Sequence, residues 1–166
     1  ADGCRTLGLM SWTGVDPFVD AVQRHGLNTD DAWIRSDLDP AVAGSGWEEL
    51  REIWSHRDSR PDGLVILDEM LFYGAQLAII EAGIRVPEQL QLAMVTSRGS
   101  TLPVHMSAIR IEVDPAAEAA VLRDMILRKL RGEEMAPTRQ AMPYRSIQTI
   151  QRPKTPMAFS NNAITD

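Results

Sequence analysis

Asp68 and Glu69 are adjacent carboxylates directly after four aliphatic residues, Leu64-Val65-Ile66-Leu67. A carboxylate pair can do acid–base work or hold a metal, but neighbours at a helix start do not face each other. The amides and dipole of a helix N-terminus attract carboxylates, so capping is the reading favoured over catalysis. His25, His56 and His105 lie far apart without a His-x-x-x-His spacing, so no metal site is expected. Cys4 is the single cysteine and has no base beside it. It reads as a buried or inert thiol, and no disulfide can form within the chain. No Gly-x-Ser-x-Gly elbow, Gly-x-Gly-x-x-Gly or phosphate loop occurs. Arg98-Gly99-Ser100-Thr101 reads as a surface turn, with anion binding the alternative. Trp47 and Trp54 have helical spacing and read as core. Trp12 follows the first predicted strand, where lining a pocket and simple exposure stay open. These residues give no catalytic group, no cofactor and no metal, so an enzyme is not expected.

The elements around them are an alternation of strands and helices. Arg60-Pro61-Asp62-Gly63 is a turn, Leu64–Leu67 a strand buried on both faces, and Asp68 starts a helix running to Ala82. Met70, Leu71, Gly74, Leu77, Ala78 and Ile80, with Ile79 beside them, give that helix its apolar spacing, and Gly83 takes the left-handed cap. Leu90–Val95 returns as a second, parallel strand, making a strand–helix–strand unit. Before this unit, Arg5–Met10 is a strand, and Asp16-Pro17 reads as a cap followed by a first-turn proline. Ala32–Arg35 is a short strand, and Ser45-Gly46-Trp47-Glu48 has the form of a capping box. After it come a strand at Ala108–Val113, a helix at Ala116–Leu130 opened by Asp114-Pro115, and a last strand within Met142–Ile150. Gln151–Asp166 is polar and proline-interrupted and is expected to be a disordered tail. The pattern predicts an open, doubly wound α/β sheet with ligands at the carboxyl ends of its strands.

With 166 residues, 44% hydrophobic and 24% charged, the chain has enough apolar sequence for one globular domain. Its formal net charge of -6 argues against a nucleic-acid-binding module within this stretch. No apolar run reaches the roughly 18 residues of a membrane span, and no signal peptide is visible. A start at Ala1 that enters a strand almost at once gives the expectation of a fragment.

Arg60-Pro61-Asp62-Gly63, the aliphatic strand, Asp68-Glu69-Met70, the helix and Gly83-Ile84-Arg85-Val86-Pro87-Glu88 together resemble the effector-binding core of LacI/GalR-type bacterial transcription regulators. The resemblance runs from about Arg5 to about Thr149. Ser36-Asp37-Leu38-Asp39-Pro40 is similar to that family's Gly-Asp-aromatic loop, and Ala108-Ile109-Arg110 to its Thr-Thr-Val-Arg strand. Arg131-Gly132-Glu133-Glu134 closes a segment similar to its Leu-x-Gly-Glu run.

The resemblance implies residues 1–150 of a periplasmic-binding-protein-like type I effector domain, mainly its second subdomain. The 114–131 helix would then pack on an absent first subdomain or a partner chain. It implies a sensor of a small molecule, possibly a sugar, in a cytoplasmic homodimer whose DNA contact comes from an absent helix-turn-helix. A periplasmic sugar-binding protein of an ABC transporter is the alternative; no membrane contact is expected. The ligand-facing positions would be Trp12, Asp16, Leu38, Asp68, Thr96 and Ser97. The usual arginine near the first helix is lacking, Leu38 replaces the stacking aromatic, and Thr96-Ser97 replaces an Asp-Asp pair. Phe72-Tyr73 lies where the family places part of its dimer interface, with core packing the equal alternative.

Overall fold

In the computed structural model, which describes residues 3–56, 59–101, 106–134 and 144–149, strand β1 (Leu7–Met10) lies inside a six-stranded sheet. It pairs in parallel with β2 (Ile34–Arg35) on one side and with β3 (Gly63–Ile66) on the other. Outward from β3 lie β4 (Gln91–Ser97) and β5 (Ile109–Val113), also parallel. β6 (Tyr144–Thr149) closes the edge antiparallel to β5. The open α/β sheet is therefore the one expected, with β3 and β4 adjacent and parallel at its middle. The expected tail, 151–166, lies outside the described residues.

The Pro-Asp-Gly turn ties β3 to β1. The Asp62 carboxylate accepts from the amides of Arg5 and Thr6, both at 2.9 Å, and its own amide donates to Thr6 Oγ1 at 3.0 Å. One turn thereby satisfies backbone donors at the start of a neighbouring strand.

Helices are α1 (Asp16–Arg24), α2 (Ser45–Ser55), α3 (Glu69–Glu81) and α4 (Pro115–Leu130), with a 3₁₀ turn at Asp31–Trp33. Alternate residues Leu64, Ile66, Leu92 and Met94 are buried on the sheet face against which α3 packs, and α2 packs on α3. The core joins them to Leu50, Ile53, Leu71, Phe72, Ala75 and Ile79. α2 and α3 approach closely at Gly46, where an added Cβ would collide with the carbonyl of Leu71. Gly83 follows α3 with φ +64°, the left-handed turn expected there.

Local starts differ from expectation in three places. Val15, not Asp16, is the N-cap of α1; Asp16 opens its first turn without a side-chain cap bond. Gly44 is the N-cap of α2, so Ser45 is already helical and the capping box does not form. Ala32 and Trp33 sit in the 3₁₀ turn, leaving two strand residues, because Asp30 Oδ1 accepts the Ala32 amide and tightens the chain there. The inward face of α3 also differs. Leu71, Ala78 and Ile79 are buried as expected, but Phe72 and Ala75 join them, whereas Met70, Leu77 and Ile80 are exposed. Nearly every residue of this helix is apolar, so spacing alone could not choose its buried side.

Candidate functional site

Parallel pairing puts the carboxyl ends of β1 to β5 along one edge of the sheet, and the loops there are stitched by the backbone. The Ser11 amide donates to Arg35 O at 2.9 Å, the Leu38 amide to Ser11 O at 3.1 Å, and the Leu67 amide to Met10 O at 2.9 Å. The segments after β1, β2 and β3 are thus fixed to one another.

Each expected site residue lies on this edge or beside it. Trp12 follows β1 and is 55% exposed, with Asp16 exposed at the start of α1. Leu38 is partly buried against the core, so much of its surface is committed to packing. Asp68 is the N-cap of α3: its Oδ1 accepts from the Met70 and Leu71 amides at 2.7 and 3.1 Å, as the capping reading requires. Thr96 is only 3% exposed, and its hydroxyl donates to Glu69 Oε2 at 2.7 Å. Ser97 is exposed, and its amide reaches the same oxygen at 3.4 Å. The structure joins Thr96 and Ser97 directly to Glu69; no such side-chain bond joins them to Trp12, Asp16 or Leu38 among the described residues.

Three participants are not among the ligand-facing positions expected from the sequence. Glu69 does more than favour a helix start: it bridges to the end of β4 across 27 positions, a contact no local pattern signals. Ser11 is fully buried, and its Oγ accepts the Thr13 amide at 2.9 Å, shaping the turn that presents Trp12. Arg35, ending β2, is held by Glu49 at 2.9 Å and Glu52 at 3.2 Å, two carboxylates one turn apart on α2. That i, i+3 pair was the available signal.

The remaining chemistry-bearing side chains have structural roles. Cys4 is buried, and that burial, with the Asp62 carboxylate beside it, pushes its thiol above its ordinary value. A raised thiol is a poor nucleophile at neutral pH. Trp47 donates from Nε1 to Glu81 at 2.8 Å and lies under Arg51, while Trp54 lies under Arg60. Phe72 is core and Tyr73 half-buried. His105 lies outside the described residues, and among these no group of three His, Cys, Asp or Glu could hold a metal ion. No helix among them is long and apolar enough to cross a membrane.

Against protein families, the periplasmic binding protein-like domain matches residues 5–148. Among curated proteins no sequence matches. Among solved structures, a LacI family transcriptional regulator from Mycobacterium smegmatis aligns with TM-score 0.70 at 18% identity, covering 91% of this chain and 59% of that one. A LacI family transcriptional regulator from Lactobacillus casei with bound sucrose gives 0.66 at 16%, covering 90% and 57%. The transcriptional regulator CelR in complex with cellobiose gives 0.69 at 16%, covering 87% and 46%. At such identities the likeness is one of fold, and the chain spans 46% to 59% of the length of these structures.

Proposed function

The chain belongs to the periplasmic binding protein-like domain family, and we propose that it is the small-molecule-sensing part of a LacI/GalR-type transcription regulator. The observation that carries the reading is the stitched carboxyl edge of a parallel sheet, with Trp12, Asp16, Leu38, Asp68, Thr96 and Ser97 on or beside it. Open α/β sheets take ligands at that edge. Sucrose and cellobiose in two of the similar regulators support a sugar-like effector here. The chain's part is to bind and orient: Trp12 offers a flat apolar face, and Asp68 and Ser97 offer polar atoms to hydroxyls.

The signal is a population shift. The effector favours one angle between this subdomain and a first one, and that angle sets the spacing of DNA-reading segments outside this sequence. α4 supports this arrangement: none of its sixteen residues is buried, and Leu122, Ile126 and Leu130 form an exposed apolar side. In our reading the first subdomain covers that side. The exposed stripe Met70, Leu77 and Ile80 on α3, with half-buried Tyr73 beside it, suits a homodimer contact. The protein acts in the cytoplasm, without catalytic turnover or cofactor. A periplasmic sugar-binding protein is the competing reading; a helix-turn-helix encoded before Ala1 supports the regulator and a secretory leader the transporter.

The test is a thermal-shift screen of neutral sugars on the full-length protein, followed by DNA binding with and without the best one. A ligand at about 100 times its Kd adds roughly 2.7 kcal/mol to the native state. The reading expects a raised melting temperature and altered DNA affinity. No shift with any sugar and no DNA binding would overturn it.

A further inference from the structure

We infer that Arg98 is a positioning residue for α4: from the end of β4 it fixes the direction in which that helix leaves the sheet, and so biases the angle between the two halves. The inference rests on α4 lying against a first subdomain, as proposed above. Its starting point is a difference in strand length. Met10, Ile66 and Met94 are level across the sheet, and the first two end β1 and β3. β4 runs on through Val95, Thr96 and Ser97, and β5 runs beside it to Val113. α4 therefore starts from a projection beyond the ends of β1 and β3. Packing ordinarily fixes the direction of a helix, but none of the sixteen residues of α4 is buried. What remains is a set of contacts at its start, and Arg98 makes two of them. Its amide donates to Val113 O at 2.7 Å, and its Nη1 donates to Asp114 Oδ2 at 2.9 Å. The other Asp114 oxygen, Oδ1, accepts the Ala116 amide at 3.0 Å. One carboxylate thus joins the first turn of α4 to the residue that follows β4. Among the described residues no other ion pair joins α4 or its cap to the sheet.

The residues before Arg98 belong to the candidate site. Thr96 and Ser97 both bond to Glu69 at the start of α3. Residues 96–98 therefore bridge the start of a helix packed within this half and the start of a helix that this half leaves uncovered. A solute touching Ser97 or Asp68 bears on the same short segment that holds α4. The side chains of Arg98 and Asp114 are 50% and 31% exposed. An exposed ion pair shifts an equilibrium by up to about fivefold. Such a bias is negligible against a packed core, and it counts where packing within this half leaves the helix direction free.

The test is a distance measurement by pulsed electron spin resonance on the full-length protein without ligand. Spin labels go on Arg85→Cys, after α3, and Lys129→Cys, near the end of α4. Both positions are exposed, and buried Cys4 stays unlabelled. Labelled protein is diluted with unlabelled protein so that distances within one chain are read. Arg98→Ala removes the pair. Asp114→Asn removes its charge and keeps the cap, since asparagine caps a helix as well as aspartate does. Both substitutions are expected to change the relative populations of the measured distances by about twofold to fivefold, in the same direction. The double substitution is expected to go no further than either alone, and Arg98→Lys, which keeps the charge, to stay close to the unsubstituted protein. Unchanged populations in either single substitution, effects that add in the double, or Arg98→Lys matching Arg98→Ala would each overturn the inference. The effector reading would then still stand on its own thermal-shift and DNA-binding test.

Discussion

Helices α3 and α4 begin alike and end up in opposite surroundings. Each starts with an aspartate whose carboxylate accepts first-turn amides: Asp68 from Met70 and Leu71, Asp114 from Ala116. Yet α3 buries Leu71, Phe72, Ala75, Gln76, Ala78 and Ile79 between the sheet and α2, whereas α4 buries nothing. Local signals decide that a helix forms and where it starts. Burial is decided by what else the chain brings to its face, and among the described residues nothing buries a residue of α4.

The largest expected difference between the two is in core truncation. Phe72, 1% exposed, is enclosed, so Phe72→Ala should cost about 4 kcal/mol in urea unfolding. Leu130 is 77% exposed, and Leu130→Ala should change the stability of this chain by less than about 0.5 kcal/mol. Equal losses would break the comparison. Next comes the α2–α3 contact. At Gly46 a methyl group meets the backbone of Leu71, which cannot swing aside, so Gly46→Ala should cost about 3 kcal/mol by overpacking. Cap removal is smaller: Asp68→Ala should lose about 1 kcal/mol, read as a lower chemical-denaturation midpoint.

Smallest is the acid response at the start of α4. The hydrogen bond from Arg98, then that from the Ala116 amide, holds Asp114 below its ordinary carboxylate value. A lowered folded value means the clip is fully present above the ordinary value and is lost as pH falls through the lowered one. Protection of the Ala116 and Ala117 amides, corrected for the intrinsic fall of exchange rates in acid, should therefore drop relative to the rest of α4 on strong acidification, and stay as it is near neutrality. An unchanged exchange ratio between these amides and the rest of α4 would contradict the clip.

The same contrast explains what the sequence made legible. β3, α3 and β4 could be read because four aliphatics, a capping aspartate and a left-handed glycine are all local marks. The α2 start was misplaced by one residue because Ser45 and Gly44 are both acceptable caps and only backbone geometry chooses between them. The buried side of α3 was hidden by its nearly uniform apolarity. At the candidate site, Asp68 was visible as a cap and Trp12 as a strand-end residue. The Glu69–Thr96 bond depends on which elements become neighbours in space, and no spacing along the chain encodes that; for Arg35, the Glu49–Glu52 spacing marks an acidic pair but not the cation it meets.

The central claim is that this chain is one half of a closing binding domain, with α4 made to lie against the other half. Hydrogen–deuterium exchange of this chain and of the full-length protein tests it most directly. The account predicts slow amides in α3 in both, and α4 amides that are fast in this chain and become slow in the full-length protein. α4 amides already slow in this chain, or still fast in the full-length protein, would contradict it.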